Sequence, residues 1–161
     1  MEIPLPPPLR GAGPGLHDLL RARRSRRRFA PDPLPLEIAA DLLFATQGVT
    51  SHDGKRAAPS AGATFPLETY LVAGAVTGLD PGVFRYLPPS HRLVRVREGD
   101  VRAALAEASL KQSFLAVAPL TVALAADYAR TVRRYGDRSN RYVPMDAGHA
   151  AENFLLVAEA L

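Results

Sequence analysis

Six of the eight residues from 21 to 28, RARRSRRR, are arginine, and Phe29 closes the run. Guanidinium groups grip phosphate oxygens through paired parallel hydrogen bonds, and a hydroxyl can add a further donor. Arg23 and Arg27 lie four residues apart, so on a helix or a strand they face the same way, with Ser25 between them. That set suits a compact phosphate. A solvated helix end, where basic side chains favour the C-terminal dipole, accounts for the same residues.

The charge balance bears on that choice. The chain of 161 residues carries 20 basic and 16 acidic side chains, a net charge of +4. Without the six clustered arginines, 14 basic residues face 16 acidic ones, a balance of −2. The positive excess is therefore local. A nucleic-acid binder that neutralises many phosphates shows a distributed stripe instead, so a small anion is expected and nucleic acid is not.

A second stretch, PSAGATFP at 59–66, sets a serine among small residues. Gly62 lets backbone approach a ligand closely, and Ser60 offers a hydroxyl and an amide. It is neither a Gly-x-Ser-x-Gly elbow nor a Gly-Lys-Ser/Thr phosphate loop, and an ordinary loop remains open. The four histidines are scattered, and only Asp146, His149 and Glu152 share a helical spacing. With no second histidine near and no cysteine anywhere, no metal site is expected. Asp146 and Glu152 are expected to pair with nearby arginines, such as Arg138 or Arg141.

The elements that must position these groups follow from pattern. Residues 1–15 are rich in proline and glycine and should run extended across the surface. LHDLLRARR predicts a short amphipathic helix leading into the arginines, and Pro31, Pro33 and Pro35 forbid helix beyond them. LEIAADLLFATQG predicts a helix stopped by Gly48. After a long loop over 49–66, LETYLVAG predicts a strand, and GVFRYLPPSHRLVRVRE two strands around a turn. GDVRAALAEASL predicts a helix capped by Asp100. APLTVALAAD is a continuous apolar run, expected as a buried central strand. The polar stretch YARTVRRYGDRSNRYVP precedes a last helix, MDAGHAAENFLLVAEAL, with Ala150, Phe154, Val157 and Leu161 on one face. No repeat or linker divides the chain, so one α+β domain over 1–161 is expected.

Five segments, in order, resemble the FMN-dependent nitroreductase family, and within it the SagB-type dehydrogenase branch. They are IPLPPP, RRSRRRF, DLLFATQGVT, PSAGATFPLETYLV and RYVPMDAGHAAENFLLVAEAL. The resemblance implies a mostly antiparallel central sheet flanked by helices, and a homodimer with FMN at the interface. It implies that Arg23, Arg24, Ser25 and Arg27 hold the ribityl chain and phosphate. Pro59, Ser60, Ala61 and Gly62 would approach the same flavin from the partner subunit. It further implies NADH or NADPH as electron donor and a small organic substrate exchanging a hydride through flavin N5. Azoline-oxidising members carry a Lys-Tyr pair that supports proton removal, and the nearest match here is Arg134-Tyr135. An arginine stays protonated and is a poor base, which leaves Tyr135 as the catalytic candidate and tells against azoline oxidation. The family continues past the last helix with a Gly-Leu-Gly turn and a strand that are not present, so a non-catalytic FMN-binding or dimerising relative is the rival expectation. With no apolar run of membrane-spanning length and no signal-peptide pattern, a cytoplasmic protein without membrane contact is expected.

Overall fold

The computed structural model describes residues 1–8 and 13–161. Its centre is a five-stranded antiparallel sheet: β1 (Glu2–Pro4), β2 (Leu67–Ala73), β3 (Gly82–Leu87), β4 (Arg92–Glu98) and β5 (Leu120–Ala126), in the spatial order β1-β4-β3-β2-β5. The helices are α1 (Leu16–Ala22), α2 (Leu36–Gln47), α3 (Arg102–Ala108), α4 (Tyr128–Tyr135) and α5 (Ser139–Ala160). This is the expected α+β arrangement.

The sheet's buried face explains the strand pattern. Leu71, Phe84, Tyr86 and Leu93 meet Ala39, Leu42 and Leu43 from α2, and Phe154 and Val157 of α5 pack against the same cluster. Burial of these large apolar side chains is worth roughly 1.5–3 kcal/mol each. The β3–β4 turn is fixed by His91, which takes a left-handed φ of 49°. Its Nε2 donates to the carbonyl of Pro6 at 2.8 Å, so its Nδ1 accepts from the Tyr86 hydroxyl, also at 2.8 Å. One histidine thereby ties the extended N-terminal segment to the hairpin.

Five expectations are corrected. The apolar run 120–126 pairs with β2 alone and lies at the sheet's edge, not its centre; apolarity reports covered faces, not the number of paired neighbours. The polar stretch after it is helical. Asp127 caps α4 by accepting from the Ala129 amide at 3.1 Å, and Gly136 ends it with φ 53°. The last helix begins at Ser139 and runs through Pro144, whose missing N–H removes one rung of the ladder without stopping it. Leu161 is exposed rather than part of the buried face. Asp100 accepts from the Arg102 amide at 3.0 Å, but Val101 occupies the cap position.

Candidate functional site

The loop between α2 and β2 is built to hold an unusual backbone. Gly62, Ala63 and Phe65 have φ values of 57°, 54° and 45°. Left-handed backbone at a residue with a Cβ costs about 1–3 kcal/mol and persists only where surroundings impose it. Within the loop, the Ser60 carbonyl accepts from the Ala63 amide at 3.0 Å and the Ser60 hydroxyl from the Phe65 amide at 3.0 Å.

Two helices pin it from behind. The Arg130 guanidinium donates to the Phe65 carbonyl at 2.9 Å, and Arg134 donates to that of Gly62 at 3.2 Å. The Thr64 and Thr131 hydroxyls bond at 2.9 Å. From α5, the buried Asp146 accepts from the Ala61 amide at 3.3 Å. Gly62 is required for more than its φ: a Cβ there would fall 2.5 Å from the Tyr135 hydroxyl and 3.0 Å from Arg134. Tyr135 is itself braced edge-on against Tyr142, with ring centroids 5.0 Å apart.

The result is a cleft of about 460 Å³ lined by Lys55, Arg56, Pro59, Ser60, Gly62 and Arg134, among others. Arg56 lies across the Phe65 ring at 4.4 Å and donates to the Gln47 side chain at 2.8 Å. Burial pushes its guanidinium below its ordinary value, with Glu68 acting in the opposite sense and Arg130 in the same one. Three of the four loop residues singled out in the sequence, Pro59, Ser60 and Gly62, line this cleft, and Ala61 anchors it.

The arginine run lies elsewhere. α1 ends at Ala22 and residues 23–30 are neither helix nor strand, so the shared face expected of Arg23 and Arg27 does not form. Arg23 reaches Glu152 of α5 at 3.8 Å, while Arg27 lies over the Phe114 ring at 5.6 Å. Arg24 donates to the carbonyls of Arg21 and Arg23 at 2.9 and 2.7 Å. Ser25 is exposed. Arg26 and Arg21 are taken by surface ion pairs with Glu159 and Asp18. Among the described residues, no member of 23–27 lines the loop's cleft.

Asp146 and Glu152 pair with neither Arg138 nor Arg141. Their partners, the Ala61 amide and Arg23, come from distant sequence. Among the described residues no three His, Cys, Asp or Glu side chains are grouped to hold a metal. None of their helices is long and apolar enough to cross a membrane.

The family model described as the nitroreductase family matches residues 20–161. The chain belongs to the nitroreductase family. A Methanocaldococcus jannaschii protein assigned as a nitroreductase, MJ1384, is 47% identical over 146 residues, covering 91% of this chain and 74% of that one. A crystal structure of a protein assigned as a nitroreductase, from Ralstonia eutropha JMP134, superposes with a TM-score of 0.83 at 31% identity, covering 99% of this chain and 71% of that one. The trifolitoxin-processing protein TfxB of Rhizobium leguminosarum bv. trifolii is 30% identical over 146 residues, covering 80% of this chain and 39% of its own length. The fold is thus the nitroreductase fold, and an oxidoreductase role is the family's general one.

Arg134 and Arg56, together with the Asp146 anchor, are what sequence reasoning missed as parts of the loop's site. Their signal was present but ambiguous. An arginine beside a small-residue loop is indistinguishable from a solvated one until α4 is placed behind it.

Proposed function

We propose that this chain is an FMN-dependent oxidoreductase, acting as a homodimer on a small organic substrate with NADH or NADPH as electron donor. The observation that carries this reading is the loop 59–65, held left-handed at Gly62 by α4 and α5 and opening onto a cationic cleft. Such a loop lets backbone, with no side chain intervening, meet a flat ligand.

The residues fit the cofactor. Arg23, Arg24 and Arg27 supply fixed positive charge for its phosphate and Ser25 a hydroxyl donor. Arg23 and Arg27 hold only a 3.8 Å ion pair and a ring contact, so a doubly charged phosphate competes for them readily. Pro59, Ser60, Ala61 and Gly62 of a second copy would border the same ligand. Exposed apolar side chains, among them Leu16 and Leu20 on α1 and Met145 and Leu155 on α5, are ones a second copy could cover.

FMN, when bound, supplies hydride transfer at N5. The chain's own groups bind, orient and exclude water. The Tyr135 hydroxyl lies beside Gly62, and it is the candidate to hand a proton to a bound substrate. An arginine is a poor base, so Arg134 would orient a ligand rather than remove its proton.

The likeness to TfxB, whose name places it in trifolitoxin processing, favours a second reading within the SagB-type branch. Against an azoline-oxidase role stands Arg134 in place of a lysine. The test of the main reading is an FMN titration of the purified chain beside Arg27→Ala. Tight binding by the first and binding weakened roughly ten-fold or more in the second is expected for one lost charged phosphate contact. A chain that takes up no FMN would overturn it.

A further inference from the structure

The central sheet is split at one end. β2 and β3 pair from Ala73↔Gly82 to Tyr70↔Arg85 and no further. Beyond that point β2 stays with β5 as far as Leu67↔Ala126, and β3 stays with β4 as far as Leu87↔Arg92. Leu67–Thr69 and Tyr86–Leu87 therefore diverge, and the ladder between them is open.

A cavity of about 300 Å³ lies in this split, with Arg56, Glu68, Thr69, Arg85, Arg130 and Pro88 among its walls. Of its lining residues only Arg56 also lines the cleft beside the loop 59–65. Glu68 is the one carboxylate on the wall, and it is already held by Arg85 at 2.9 Å and by Arg130. Arg130 also reaches Asp127 at 3.3 Å. Arg56 has neutral partners, the Gln47 side chain and the Phe65 ring. Thr69 is buried, yet its hydroxyl has no hydrogen-bond partner among the described residues.

The walls thus hold more donors than acceptors. A guanidinium has five N–H donors, so Arg85 and Arg56 keep several after their protein contacts. A buried hydroxyl without a partner, and a half-buried guanidinium without a counter-ion, both carry a desolvation cost that an incoming anionic acceptor relieves.

We propose that the split between β2 and β3 is a binding site for a small oxyanion, phosphate or carboxylate, held by Arg85, Arg56 and the Thr69 hydroxyl and separate from the cofactor's place. The bound group joins the two halves of the sheet where their own ladder stops. Arg56 and Arg130 also hold Phe65, through its ring and its carbonyl, so occupancy of the split is felt at the end of the loop.

Calorimetric titration at constant ionic strength, on protein saturated with FMN, tests this with inorganic phosphate, succinate, and succinamide as the neutral counterpart of succinate. At least one of the two anions should bind, and succinamide should not. Preference for phosphate assigns the site to a phosphate-bearing ligand, and preference for succinate to a carboxylic acid. Thr69→Val and Arg85→Gln should each weaken the anion roughly ten-fold. Thr69→Val should melt no lower than the parent protein, because it removes a buried hydroxyl that the fold leaves unpaired. The proposal is overturned if neither anion binds, if succinamide binds as well as succinate, or if both variants bind the anion unchanged. It is also overturned if the anion binds FMN-free protein and excess FMN displaces it, since the anion then occupies the place of the flavin phosphate. A chain that takes up no FMN but binds the anion through Thr69 and Arg85 removes the flavin reading and leaves this one.

Discussion

Two segments are proposed to hold the cofactor, and they are built in opposite ways. The loop 59–65 is held by its own turns and by side chains from α4 and α5, with three residues in left-handed backbone. The segment 23–29 is exposed over most of its length and rests on the protein mainly through the ends of long side chains. The first spends folding energy to present a fixed surface before any ligand arrives. The second presents charge, whose final geometry a bound phosphate would set. Changes in the loop should therefore appear as lost stability, and changes in the arginine segment as lost affinity at unchanged stability.

The largest effect should come from Gly62→Val. It adds left-handed strain and a clash with the Tyr135 hydroxyl and Arg134, together about 3 kcal/mol. For a chain of this size that lowers Tm by roughly 6–12 °C in a calorimetric melt. Asp146→Ala comes next. It strips the acceptor from the Ala61 amide in a buried place, a loss of about 1–3 kcal/mol, whereas Asp146→Asn keeps an acceptor oxygen and should recover most of it. A melt in which the alanine and asparagine variants coincide would mean that the loop does not depend on this bond.

Arg27→Ala should reverse the pattern, with Tm unchanged and FMN bound roughly ten-fold or more weakly. A fall in Tm comparable to that of Asp146→Ala would erase the contrast between the two segments. Smaller still is an effect of pH. The Arg102 guanidinium and amide hold the Asp100 carboxyl below its ordinary value. Its contribution is therefore complete above the usual carboxylate range and lost as pH falls through the lowered folded value. Asp100→Asn should flatten only that acid limb, by well under about 1 kcal/mol because the pair is exposed. Arg26→Ala should leave FMN affinity unchanged and lower the melt only slightly, since Arg26 is exposed although its partner Glu159 is largely covered.

Local chemistry made much of this legible in the sequence. Alternating apolar residues placed β2 and the β3–β4 hairpin, and Gly48 and the prolines bracketed α2. What required the structure was non-local. The edge position of β5 follows from which strands pair, which its composition does not encode. α4 was hidden because its inward residue is Thr131, a polar side chain buried against Thr64 rather than an apolar one. Asp146 reads as a surface acid on a helix until the loop 85 residues earlier in the sequence donates to it. Residues that line the cleft were thus recognisable by type within the loop, whereas the groups that shape the loop were not.

The most direct measurement is a parallel titration of the purified chain with FMN and with riboflavin, which differs by lacking the phosphate. The account predicts saturation at one FMN per chain and markedly weaker binding of riboflavin, because Arg23, Arg24 and Arg27 would have nothing to grip. Equal binding of the two would contradict the arginine socket, and binding of neither would contradict the flavin site altogether.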